Sequence, residues 1–149
     1  TKIYRDTCDL VVDGLYISGE RVSSDLPQLL KNGITHIVNA NAISSPIYFP
    51  ETFTYFSVHL EDSVFENLND EFWNSVSFTN EAIKNGGKVL IHCRMGISRS
   101  AAVCLAYLIM HRHMTIPSAM ELISKARPCV NINRGFLQQI EAKISNEDK

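Results

Sequence analysis

Apolar residues along the chain recur at two spacings, and the alternation between them predicts a succession of strands and helices. Leu10-Val11-Val12 and Leu15-Tyr16-Ile17 are short apolar runs separated by Asp13-Gly14. That pair favours a tight turn, so the runs predict two strands joined directly. Over residues 24–32, Leu26, Leu29 and Leu30 share one helical face and Gly33 follows as a stop signal, which predicts a helix. Residues 34–40 carry Ile34, Ile37 and Val38, and residues 54–60 are rich in β-branched and aromatic side chains; both predict strands. Pro46 and Pro50 fall between them and predict a loop over 41–53.

Asn69 or Asp70 can cap a helix in which Phe72, Val76 and Ile83 recur at helical spacing before Gly86-Gly87 closes it. Residues 88–91 then predict a short apolar strand. Residues 100–111 are apolar nearly all round, the mark of a buried helix. Residues 115–126 predict another helix, with Pro117 tolerable in its first turn and Pro128 just past its end. The last helix is predicted over 135–144, with Phe136, Leu137, Ile140 and Ile144. Strands before and between helices predict an α/β fold, a mixed central sheet flanked by helices, with the three final helices clustered on the sheet.

Composition narrows the function classes. The 149 residues predict a single domain over 1–149. A formal net charge of −2 gives no support to a general nucleic-acid or membrane surface, so any anion site is local. The run Ala101 to Met110 is too short to span a bilayer, and Thr1-Lys2-Ile3-Tyr4-Arg5-Asp6 has no basic segment followed by an apolar one, so no signal peptide is expected. Cys8, Cys93, Cys104 and Cys129 lack C-x-x-C spacing. They are expected to be free thiols in a reducing compartment, cytoplasmic or nuclear, with no metal and no cofactor.

Chemistry concentrates in Val89-Leu90-Ile91-His92-Cys93-Arg94-Met95-Gly96-Ile97-Ser98-Arg99-Ser100, a predicted strand, loop and buried helix. Open α/β sheets bind ligands beyond the carboxyl ends of their strands. A tight turn into a helix N-terminus aims backbone N–H groups inward and forms a nest for a tetrahedral anion, and Gly96 lets the backbone close around it. Arg99 can set a guanidinium fork on two phosphate oxygens. The helix end and Arg99 both favour a thiolate at Cys93, which would attack phosphorus in line and form a cysteinyl phosphate. Positions Arg94, Met95, Gly96, Ile97 and Ser98 would bind phosphate through backbone amides, the side chains of Arg94, Met95, Ile97 and Ser98 shaping the rim.

His-Cys, five residues, then Arg-Ser is similar to the signature of the protein tyrosine phosphatase superfamily. Ser98-Arg99-Ser100-Ala101-Ala102 and the segment from Arg127-Pro128 to Asn133-Arg134-Gly135-Phe136 resemble its small dual-specificity branch. The resemblance covers residues 10–144. It implies hydrolysis of phosphotyrosine and phosphoserine or phosphothreonine in protein substrates, with Arg99 clamping phosphate and Ser100 assisting loss of the thiolate. It also implies a general acid on a loop after an upstream strand, which falls on Asp62, with Glu61 as the alternative. Asn133 resembles a family residue that helps hold the site, although Ile132 departs from the proline common beside it.

Structural roles compete at several of these positions. His92 is expected to hydrogen-bond within the loop and orient Cys93 rather than move protons, and Cys104 is expected to be core. The rival functions are a phosphoprotein-binding pseudophosphatase and a phosphoinositide or RNA phosphatase on the same scaffold. Arg94 is the basic side chain among positions 94–98 that would serve the second.

Overall fold

The computed structural model describes residues 3–147; Thr1 and Lys2, on which the reading of the chain start partly rests, lie outside them. A 3₁₀ turn, Tyr4–Asp6, leads into β1 (Asp9–Val12) and β2 (Leu15–Ser18), which pair antiparallel through a turn where Gly14 has φ 85°. Next come α1 (Glu20–Ser23), α2 (Leu26–Lys31), β3 (His36–Asn39) and β4 (Thr54–Ser57). The chain then runs through α3 (Asp70–Lys84), β5 (Val89–His92), α4 (Arg99–Arg112), α5 (Ile116–Ala126) and α6 (Arg134–Glu147).

The sheet order is β1-β2-β5-β3-β4, with every pair beyond β1·β2 parallel. This is the mixed α/β sheet flanked by helices that the sequence predicts. Its topology places the site: His92 aligns with Ser18 of β2 and Asn39 of β3. The carboxyl ends of three neighbouring strands therefore meet where the chain leaves β5 toward Cys93. All four β5 residues are buried. Helix α4 packs on β2 and β5 from one side and against α3, α5 and α6 on the other, burying Ser100 through Ile109. At about 1.5–3 kcal/mol per fully buried large aliphatic side chain, Leu105 and Leu108, both at 0% exposure, anchor α4 strongly. The helix that follows the Cys93 loop is thus fixed on all sides.

Local signals operate as their chemistry dictates. Asn69, rather than Asp70, caps α3 by accepting the Phe72 N–H. Thr115 caps α5 at the Ser118 N–H, with Pro117 in the first turn. Two expectations need correction. The strands expected over 34–40 and 54–60 are shorter, yet Ile34, Val58 and Leu60 stay buried at 4%, 0% and 1% exposure. The predicted helix over 24–32 is α2 alone, capped by Asp25 at the Gln28 N–H, after the separate turn α1. No helix among the described residues is long and apolar enough to cross a membrane.

Candidate active site

Cys93 follows the central strand directly and lies at the base of a loop ending at α4, its side chain 2% exposed. Its Sγ accepts the Gly96 N–H at 3.2 Å and lies 3.1 Å from Ser100 Oγ. Two groups placed to donate to a thiolate therefore surround the sulfur. Gly96 has φ 68°, and a Cβ there would come within 2.7 Å of Arg127 Nη2 and of the Ser18 carbonyl. No other residue type fits that position.

The loop is held open from outside. Its four successive carbonyls at 94–97 each accept a donor from the scaffold: Arg94 O from Glu20 N at 3.0 Å, Met95 O from Arg127 Nη2 at 2.9 Å, Gly96 O from Arg127 Nε at 2.9 Å, and Ile97 O from Asn131 N at 2.8 Å. In a trans peptide the following N–H points opposite to the carbonyl. The N–H groups of Met95, Gly96, Ile97 and Ser98 are thereby turned inward, and the Gly96 N–H on Cys93 Sγ is one instance. Such a ring of amides is an anion nest, completed by the N-terminus of α4.

Arg127 is fully buried. Its Nη1 donates to Tyr4 O at 2.8 Å and Thr7 Oγ1 at 3.3 Å and is paired with Asp9 Oδ2 at 2.9 Å. One guanidinium thus ties two loop carbonyls, the 3₁₀ turn and β1 together. Sequence reasoning noticed Arg127 only as part of a resemblance and assigned it no role. The polar cluster Glu20, Asn41 and Ser45 was missed as well.

A cleft of about 380 Å³ is lined by Asp62, Cys93, Arg94, Met95, Ile97, Ser98 and Arg99. Of the predicted site residues, His92, Gly96, Ser100 and Asn133 are not part of that lining. Arg99 Nη1 donates to Asn41 Oδ1 at 2.7 Å and to Leu60 O at 3.0 Å. Asp62 Oδ1 accepts the Asn133 Nδ2 at 2.9 Å, and Asn133 N donates to Ser98 Oγ at 3.0 Å. Asn133 therefore links the predicted acid to the loop despite Ile132. Glu61 is exposed and absent from the cleft lining.

One expectation about a side chain fails. Ser98 does not shape the rim; it is 3% exposed and its hydroxyl faces Asn133. His92 Nδ1 is buried and has no hydrogen-bond partner, while a hydrogen bond with the Cys93 backbone ties the ring to the start of the loop. Burial lowers the His92 imidazole to about 4, against an opposing pull from the Cys93 backbone, so the ring is neutral at physiological pH. Cys104 is core as expected, its thiol pushed up by burial and by the field of Cys93. Burial and Asp9 push Cys8 up to about 12.

The family model for the dual specificity phosphatase catalytic domain matches residues 15–145. A Dictyostelium discoideum protein described as a probable rhodanese domain-containing dual specificity protein phosphatase is 38% identical over 133 residues, covering 89% of this chain and 28% of that protein. Dual specificity protein phosphatase 2 of Mus musculus is 36% identical over 126 residues, covering 85% and 39%. The chain thus spans well under half the length of either relative. Among solved structures, a human tyrosine phosphatase-like serine/threonine/tyrosine-interacting protein superposes with a TM-score of 0.89 at 30% identity, covering 95% of this chain and 98% of that one. Human DUSP28 superposes with a TM-score of 0.88 at 27% identity, covering 95% of each. With its sheet, its Cys93 loop and these likenesses together, the chain belongs to the dual specificity phosphatase catalytic domain family, in the small dual-specificity branch of the protein tyrosine phosphatase superfamily.

Proposed function

We propose that this chain hydrolyses phosphotyrosine and phosphoserine or phosphothreonine in protein substrates through a cysteinyl phosphate on Cys93, without cofactor or metal. The observation that carries the reading is the placement of Cys93 Sγ inside the amide ring, with Arg99 and Asp62 lining the same cleft. Phosphate oxygens occupy the N–H groups of 95–98 and the Arg99 fork. Cys93 Sγ attacks phosphorus in line; the S–P bond forms as the P–O bond to the substrate breaks, and Asp62 gives its proton to the departing oxygen. Water then attacks the cysteinyl phosphate, Asp62 takes the proton from that water, and the S–P bond breaks. Ser100 Oγ, 3.1 Å from the sulfur, donates to the thiolate as it leaves. His92, neutral and sequestered, takes no part in proton transfer.

We propose cytoplasmic or nuclear residence as well, a reading the four unpaired thiols support, and localising the tagged protein tests it. The test of the reaction is Cys93→Ser: it should abolish phosphate release from a phosphopeptide panel while still binding those peptides, because the amide ring and Arg99 survive. Release at the wild-type rate overturns the mechanism. Binding without turnover in the wild type as well would instead support phosphoprotein capture, the reading favoured by likeness to a phosphatase-like interacting protein.

A further inference from the structure

We propose that Asn41 is a positioning residue for Arg99, holding one end of its guanidinium through a hydrogen-bonded relay that ends on the Glu20 carboxylate. Asn41 lies just past β3 and is 1% exposed. Its own N–H donates to Asn39 Oδ1 at 3.0 Å, its Nδ2 donates to Ser45 Oγ at 2.7 Å, and the Ser45 hydroxyl donates to Glu20 Oε1 at 2.8 Å. Asn39 Nδ2 in turn donates to Ser45 O at 2.9 Å. A guanidinium only donates, so the Asn41 atom that faces Arg99 must be the carbonyl oxygen. The orientation of the amide is therefore dictated by its neighbours.

The consequence lies in which edge of Arg99 is left over. Nη1 carries two N–H groups, and its two acceptors are Asn41 Oδ1 at 2.7 Å and Leu60 O at 3.0 Å. The Nε and Nη2 donors have no protein partner among the described residues, and they form the paired edge that suits bidentate recognition of a phosphate. Asn41 and Leu60 grip one end of the fork and present the other to the cleft.

Asn41 is also neutral. A carboxylate in its place would hold Arg99 equally well but would offset the positive charge that the phosphate needs. The anionic end of the relay, Glu20, is set two hydrogen bonds back from Asn41 Oδ1, where it polarises the chain of donors without pairing directly with Arg99. Glu20 N also holds Arg94 O at 3.0 Å, so α1 braces the loop and feeds the relay from one residue. The effect on turnover presupposes the phosphatase reaction proposed above; the effect on anion binding does not.

The experiment measures tungstate affinity and kcat/KM on an aryl phosphate in wild type, Asn41→Leu, Arg99→Ala and the double variant, with Tm as a check on folding. Asn41→Leu should weaken tungstate binding about tenfold, the scale of one hydrogen bond to a charged group, and raise KM more than it lowers kcat. In the Arg99→Ala background the same substitution should cost nothing further, because Asn41 acts only through Arg99. Ser45→Ala, which spares Asn41, should give a smaller loss in the same direction, and serves should Asn41→Leu fail to fold. Unchanged tungstate affinity in the folded Asn41→Leu or Ser45→Ala variant, or multiplicative losses across the cycle, overturns the proposal. Absence of hydrolysis by the wild type, with tungstate binding still sensitive to Asn41, would sink the phosphatase reading and leave the positioning role standing.

Discussion

Arg127 directs its guanidinium wholly at protein: two loop carbonyls, the Tyr4 carbonyl, Thr7 Oγ1 and the Asp9 carboxylate. Arg99, on the other side of the same loop, gives one nitrogen to Asn41 and Leu60 and leaves the rest of its fork facing a cleft. Both are arginines for the same reason, a rigid planar array of donors, but their surroundings assign them opposite work. Where a buried carboxylate neutralises the charge and carbonyls fill the remaining positions, the fork becomes scaffold and turns the loop amides inward. Where a neutral amide holds one end, the charge stays available for an anion. A nest for phosphate needs both arrangements, since inward N–H groups require outward carbonyls and something must bind those carbonyls.

The sharpest way to break this comparison is to remove each arginine in turn. Arg99→Ala should lower kcat/KM on phosphate esters by about 10²–10³-fold or more, the scale of a lost donor to developing charge, with a Tm loss limited to the Asn41 and Leu60 acceptors it leaves unpaired. Arg127→Met should do the reverse. Removing one member of a buried pair leaves Asp9 uncompensated and costs about 3–5 kcal/mol, about 10 °C in Tm for a chain this size. Pairing it with Asp9→Leu should recover much of that loss. If Arg127→Met leaves Tm in place, or Arg99→Ala lowers it as far, the division of roles fails.

The two arginines also differ in how visible they are in the sequence. Arg99 belongs to a motif whose parts lie within eight residues of one another, from His92 to Ser100, so its chemistry is legible from spacing alone. Arg127 meets Asp9 and Tyr4 across 118 and 123 positions, and Asn41 meets Arg99 across 58. Such contacts exist only once the sheet has brought β1, β3 and β5 together, and no local pattern announces them. The overlong strand predictions have a related cause. Val58 and Leu60 read as strand because hydrophobic pattern reports burial, and both are buried; it does not report where the ladder ends, and the register with β3 stops at Ser57, past which Val58 keeps only its bonds to Asn39 O and the Ala42 N–H. Asp62 was assigned from the resemblance by its place a short way past a strand, and that strand, β4, ends at Ser57.

On the braced side of the loop, His92 gives a comparison in pH. Its imidazole is lowered from 6.5 to about 4 by burial, so between those values the unfolded chain binds a proton that the folded chain does not. Stability is therefore full above pH 6.5 and falls as pH drops toward 4, by about 2–3 kcal/mol at pH 4.5. His36 and His111, also lowered by desolvation, contribute with the same sign. Urea unfolding at pH 7 and pH 4.5 should show wild type losing more stability than His92→Asn over that interval. Equal losses would mean that His92 is charged or paired in the fold.

The smallest effect belongs to the open side, where Asn133 joins Asp62 to the loop. Its Nδ2 donates to Asp62 Oδ1 at 2.9 Å, while its Oδ1 caps α6 at the Phe136 N–H, also at 2.9 Å, and its main-chain N–H holds Ser98 Oγ at 3.0 Å. Asn133→Ser keeps the main-chain bond and a competent helix cap but cannot reach Asp62, so it isolates the link to the acid. Losing one hydrogen bond of about 1 kcal/mol should slow an alkyl phosphate about fivefold. An aryl phosphate with a good leaving group needs little help from the acid and should be nearly unaffected. Asp62→Asn should show the same selectivity on a larger scale, about 10²–10⁴-fold on the alkyl ester, and Asn133→Ser should add nothing in that background. An equal loss on both esters would mean that Asn133 serves the loop through Ser98 rather than the acid, and would move the cleft side of the comparison onto Arg99 and its relay alone.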